Sequence, residues 1–172
     1  MRATLRALGY AFFNKTEGQH TGTEHTGMFK HILIATDGSE LARKAVVAGF
    51  NLASALKARA TAVIVSEPWT SSVTSEALIA LPVEDYDQAA AAQAASALAA
   101  VSEQANNNGV DCATLHVKDR YPADGMIETA QQQACDLIVM ASHGRTGIAR
   151  LLLGSQAMNV VTNSPIPVLI CR

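Results

Sequence analysis

Strict alternation between two hydrophobic periods restricts the fold of this chain more than any other feature. From residue 30 onward, short β-branched or aliphatic runs alternate with longer stretches of helical period. The runs are residues 31–36 (HILIAT), 61–65 (TAVIV), 113–117 (ATLHV), 137–140 (LIVM) and 168–171 (VLIC). Most are continuously apolar, as expected of central parallel strands covered on both faces. Five strands separated by four helices predict an α/β fold, a parallel sheet with right-handed crossovers and helices on both faces.

The helix signals are local. Ser39 is a candidate N-cap with Glu40 in the first turn, ahead of an apolar stripe of Leu41, Ala45, Ala48, Leu52 and Leu56. Residues 83–107 are Ala-dense with Leu98 and Val101 as larger anchors, and Asn106, Asn107, Asn108 and Gly109 end that helix. Its acidic group Glu84, Asp85 and Asp87 reads as a solvated first turn. Pro122 suits the first position of a third helix that buries Met126, Ile127, Ala130 and Ala134. A fourth helix spans about 152–162 before the breaker at 163–167 (NSPIP). Residues 68–82 form the one long connection, where a functional or flexible loop is expected.

Composition narrows the function classes. A length of 172 residues predicts one domain, and 49% apolar with 16% charged residues is enough to bury a core. Thirteen Lys and Arg against fifteen Asp and Glu leave a net charge of −2, which argues against a nucleic-acid partner. No apolar run approaches the ~20 residues of a membrane-spanning helix, so no membrane partner is expected. Cys112, Cys135 and Cys171 are odd in number and lack CxxC spacing. They read as small buried hydrophobes in a chain at home in a reducing cytoplasm. Residues 1–27 are different in character. Their second half is polar and rich in Gly and Thr, and Met28 directly precedes the first strand, so they read as a flexible N-terminal extension. His20 and His25 lie within it and read as solvated.

In open parallel sheets, ligands bind at the carboxyl ends of the strands. Two such ends carry unusual residues. The first reads Ala35-Thr36-Asp37-Gly38-Ser39; the fourth reads Ala141-Ser142-His143-Gly144-Arg145-Thr146-Gly147 and runs on to Gly154-Ser155 at a helix start. Glycines admit an anion close to backbone N–H groups, and a helix N-terminus adds its positive dipole end. Ser155 offers a hydroxyl and Arg145 a guanidinium to phosphate oxygens. A plain turn is the alternative, because neither a Walker loop nor a GxGxxG fingerprint is present. Asp37 suits a ribose or a phosphate-bound cation, and it equally suits a DGS turn. Ser142 and His143 are neighbours that would point to opposite faces of a strand, which argues against a catalytic pair. His31 and His116 read as structural histidines within strands.

The combination HILIATDGSE, LIVMASHGR, LLLGS and SPIPVLICR resembles the universal stress protein family over residues 28–172. The resemblance implies a Rossmann-like sheet of order 3-2-1-4-5 and a homodimer through the last strand. Its ATP-binding members carry Gly, two residues, Gly, nine residues, then Gly-Ser/Thr. Here Gly144, residues 145–153 and Gly154-Ser155 match, with Ala141 in place of the first glycine. The resemblance places Asp37 at the nucleotide, alone or with Mg²⁺. It makes Ala35, Thr36 and Val65 the adenine walls with Met140 nearby, and the Gly pattern of Ala141, Gly144, Gly154 and Ser155 the phosphate side. His143 and Arg145 are candidate ligand contacts from the same loop, a water-exposed loop position being the alternative for His143. A related branch that cleaves ATP between the α and β phosphates uses a Ser-Gly-Gly-rich loop. The sequence here is Asp37-Gly38-Ser39-Glu40, against adenylation chemistry. Three functions remain open: an ATP-binding stress-response regulator, an adaptor dimer without nucleotide, and a slow Mg²⁺-dependent ATPase.

Overall fold

Every apolar run forms a strand: β1 (His31–Ala35), β2 (Arg59–Val65), β3 (Cys112–Val117), β4 (Leu137–Ala141) and β5 (Val168–Cys171). The structure, a computed structural model, describes residues 28–69, 83–144 and 153–172. The expected N-terminal extension, most of the 68–82 connection and Arg145 lie outside the described residues. The strands pair in parallel in the order β3-β2-β1-β4-β5, so β1 is central and β5 an edge. Four helices connect them: α1 (Glu40–Leu56), α2 (Val83–Asn107), α3 (Pro122–Gln132) and α4 (Ser155–Asn163). No helix among the described residues is long and apolar enough to cross a membrane.

Alternation along β1 divides the core in two. Ile32 and Ile34 face a cluster containing Val46, Phe50, Leu98 and Val101 of α1 and α2. Leu33 and Ala35 face Met126, Ala130, Ala157 and Val160 of α3 and α4. All five β1 residues are buried, which accounts for a run without polar interruption. The Asp136 carboxylate accepts from the Lys30 and His31 N–H groups at 2.8 and 3.0 Å, tying the start of β1 to that of β4.

The helix ends follow the local signals more closely than the helix faces do. Ser39 Oγ accepts from Ala42 N–H at 3.2 Å, as a Ser N-cap should. Gly109, at φ +64°, takes the left-handed turn that follows α2. Glu84, Asp85 and Asp87 are exposed. The stripe expected on α1 is displaced by one residue, because Ala42, Ala45, Val46, Gly49, Phe50 and Ala53 are buried. Leu41, Ala48, Leu52 and Leu56 flank this stripe and are half-buried. Close approach to β1 decides the phase: a Cβ at Gly49 would sit 2.8 Å from Ile34 Cδ1. On α3, Met126 and Ala130 are buried as expected, whereas Ile127 is half-buried. Ala134 is exposed beyond the helix end at φ +51°. The fourth helix begins at Ser155, not near 152, because Gly154 is its N-cap in extended geometry. Cys135 is buried, but Cys112 and Cys171 lie on the outer strands and are half-buried.

The strand histidines are structural. His31 Nε2 lies 2.8 Å from Thr61 Oγ1, and His116 Nε2 lies 2.8 Å from Ser66 Oγ. Burial, and secondarily Arg59, holds the His31 imidazole below its ordinary value of 6.5 against the opposing pull of Asp136 and Asp111. His116 is lowered too, by burial and then Lys118. A folded-state depression means the unfolded chain binds the extra proton first. Stability is therefore complete above pH ~6.5 and declines as pH falls below it. Melting temperature should fall as pH drops from about 7 to 5, and His31→Gln, which keeps a partner for Thr61, should flatten that dependence. An unchanged slope in the folded variant would exclude His31 as a contributor.

Candidate functional site

Because β1 ends at Ala35 while β2 continues to Val65, the sheet has a notch at its carboxyl end. The last bond of the β1–β2 ladder runs from Thr36 N–H to Val63 C=O at 3.0 Å. Parallel-strand alternation then turns the Val65 N–H and C=O toward the same side, beyond the end of β1. A donor and an acceptor thus stand side by side at the β2 tip, matched to a planar group with one acceptor and one donor on its edge.

The turn after β1 is held by its own side chains. Gly38 N–H donates to Thr36 Oγ1 at 3.2 Å, and Ser39 N–H donates to Asp37 Oδ1 at 2.9 Å. Gly38 adopts φ +79°, which spares the turn a Cβ penalty. Both readings of Asp37 therefore hold together: its carboxylate shapes the turn and also lines a cavity of about 900 Å³ above the strand ends.

That cavity brings the sequence candidates together. The end of β1 contributes Ala35, Thr36 and Asp37, and β2 contributes Val65. The end of β4 supplies Met140, Ala141, His143 and Gly144, while Gly154 and Ser155 come from the start of α4. Arg145 is outside the described residues. Ala141 is the last residue of β4 and does not belong to the positive-φ residues, so a Cβ there causes no backbone strain. Gly144 lies close to the Asp37 side chain: a Cβ on it would be 2.9 Å from Asp37 Oδ2, so the carboxylate would have to shift. A Cβ on Gly154 would lie 3.2 Å from the Ser142 carbonyl.

The first turn of α4 has no side-chain cap, and its N-cap residue is Gly154. Gly154 N–H itself donates to Ser142 C=O at 2.9 Å. The following N–H groups of the turn carry the positive end of the helix dipole toward the cavity. Gln156 does not cap its own helix; its Oε1 accepts from Ala123 N–H at 3.2 Å and so joins the starts of α3 and α4. The expectation that Ser142 and His143 point apart fails. Both lie past the end of β4, where alternation no longer applies, and Ser142 Oγ is 3.1 Å from His143 Nδ1.

Residues without any linear motif complete the wall. Tyr86 and Gln93 of α2 line the cavity with Ser66, Glu67, Pro122 and Met126. Tyr86 Oη donates to Glu67 C=O at 3.3 Å, pinning the start of α2 over the β2 tip. The one signal that could have found them is the seven-residue spacing of Tyr86 and Gln93, two helical turns apart on one face. Asp37 and Glu67 bring carboxylates to the described lining, to which neither Lys nor Arg contributes. The cysteines stay out of this chemistry: burial pushes the Cys135 thiol up to about 11 and raises those of Cys112 and Cys171.

A profile of the universal stress protein family matches residues 28–172. The chain belongs to that family. It is 32% identical over 149 residues to universal stress protein MJ0531 of Methanocaldococcus jannaschii, with 84% of this chain and 83% of that protein aligned. Its fold matches universal stress protein UspA from Lactobacillus plantarum at a TM-score of 0.68 and 25% identity, covering 83% of this chain and 97% of that one. It also matches the fold of a universal stress protein in complex with cAMP at a TM-score of 0.60 and 24% identity, covering 84% and 97%. The strand order β3-β2-β1-β4-β5 belongs to that shared fold, and Gly144 and Gly154 lie against Asp37 and Ser142 here.

Gly144→Ala should displace the Asp37 carboxylate, since 2.9 Å is closer than a Cβ tolerates. The Ser39 amide, held by that carboxylate, should then exchange with solvent faster while amides of β1 keep their protection. Unchanged Ser39 exchange would show that the two residues do not press on each other.

Proposed function

We propose that this universal stress protein binds an adenine nucleotide, ATP, in the cavity at the strand ends and acts as a stress-response regulator through a homodimer. The observation that carries the reading is the uncapped first turn of α4 facing the same cavity as Asp37 and the open Val65 backbone edge. Adenine presents an acceptor beside an amino donor, which complements the Val65 N–H and C=O. Ala35, Thr36 and Met140 supply small or apolar walls for the base. Asp37 suits the ribose hydroxyls, and the N–H groups beginning at Ser155 suit phosphate oxygens. Among the described residues no cluster of three or more His, Cys, Asp or Glu is built to hold a metal. Mg²⁺ would therefore come with the nucleotide, with Asp37 offering a carboxylate oxygen. The structural neighbour solved with cAMP supports an adenine ligand for this fold.

The homodimer reading rests on β5. It pairs with β4 on one side only, and Leu169 on it is 40% exposed, while Met158 and Val161 of α4 are each 45% exposed. An edge strand that carries an exposed leucine is suited to a second copy. The three cysteines are unpaired thiols, in keeping with a reducing cytoplasm.

Titration of the parent with ATP by calorimetry tests the nucleotide reading. Gly154→Val should weaken binding by about tenfold or more, ~1.4 kcal/mol, because its branches occupy the space of the phosphates. Asp37→Ala should make affinity less dependent on Mg²⁺. Circular dichroism verifies folding in each variant. An ATP-silent parent would favour the adaptor reading, and unchanged affinity in folded Gly154→Val would remove α4 from the site.

Leu169→Lys should convert the dimer to monomer, as read by light scattering with size exclusion. A parent already monomeric at micromolar concentration would overturn the homodimer.

A further inference from the structure

We propose that the nucleotide binds together with a proton, taken up by His143, which Ser142 holds against the start of α4. The inference rests on the nucleotide reading above and adds a linkage between that site and pH. Phosphate brings negative charge into a cavity whose described charged lining is Asp37 and Glu67, both carboxylates. His143 is the one described lining side chain that can become a cation near neutral pH.

Its placement suits that role. The Ser142 hydroxyl occupies the Nδ1 side of the ring at 3.1 Å. The opposite edge lies against α4: His143 Cδ2 would be 3.4 Å from a Cβ on Gly154. Nε2 adjoins Cδ2, so the free nitrogen belongs to the edge nearest the helix start. Ser142 is a firm support. It is 4% exposed, its N–H donates to Cys171 C=O at 2.8 Å, and its C=O accepts from Gly154 N–H at 2.9 Å. A hydroxyl can donate to neutral Nδ1 or accept from protonated Nδ1–H, so the contact survives a change of charge. A backbone N–H in that place would block protonation.

The surrounding fields give the coupling its sign. The described charged groups that line the cavity with His143 are Asp37 from the β1 turn and Glu67 from the β2 end, and α4 presents the positive end of its dipole. An anion at the helix start offsets that dipole and adds a direct partner for Nε2–H. Binding and protonation therefore reinforce each other, and affinity rises as pH falls through the neutral range.

Calorimetric titration of the full chain with ATP, in two buffers of equal pH and unlike ionisation enthalpy, counts the protons taken up. The parent should take up a measurable fraction of a proton, up to about one, more than His143→Gln does. Protons carried by the triphosphate are common to both chains and cancel in that difference. If His143→Gln binds too weakly to titrate, proton NMR of the parent replaces it: the His143 Cε1–H titration midpoint should move upward on saturation with ATP. Equal proton uptake in both chains, or an unmoved midpoint, would overturn this inference while leaving nucleotide binding intact. Failure of the parent to bind ATP would overturn both.

Discussion

The site depends on where β1 stops. β1 is the central strand and all of its residues are buried, with β2 bonded on one side and β4 on the other. Its ladder to β2 ends at Ala35↔Val63, yet β2 runs on to Val65. That difference of two residues opens the notch and frees a polar edge at the β2 tip. It also sends the chain into the Asp37 turn, which Thr36 and Asp37 stabilise from within. A longer β1 would continue the ladder to Val65 and fill the place where a base can lie.

Steric closeness on the other side of the notch is equally specific. Gly144 lies against the Asp37 carboxylate and Gly154 against the Ser142 carbonyl, so a methyl group at either position would make its neighbour shift. The Gly154 N–H to Ser142 C=O bond fixes the start of α4 relative to the end of β4. Gln156 then fixes α3 relative to α4. Three strand ends and two helix starts are thereby held as one frame, with the first turn of α4 and the Asp37 and Glu67 carboxylates lining a common space.

Much of this was legible in the chain itself. The runs HILIAT, TAVIV and LIVM are continuous because both faces of the central strands are covered, and their order gave the element order directly. The Ser39 cap and the Pro122 start are local signals and hold. The phase of α1 was less legible: Leu41, Leu52 and Leu56 are the larger residues, but the buried stripe is built around Gly49 and Phe50. Size in sequence does not reveal that Ile34 needs the helix close. The start of α4 was misplaced for a similar reason, since Leu153 continues an apolar run and only the Gly154 geometry ends it.

The sequence by itself determined the class of fold, the residues at the ends of β1 and β4, and the family to which the chain belongs. Hydrophobic periodicity, caps and short motifs are properties of near neighbours along the chain, and those survive without coordinates. Only the tertiary structure decided that Tyr86 and Gln93 face the same cavity as Asp37 and that Ala141 carries no backbone strain. It alone placed Ser142 behind the His143 ring. These are distances between segments far apart in sequence, or dihedral angles set by packing, and neither is encoded in the spacing of residue types.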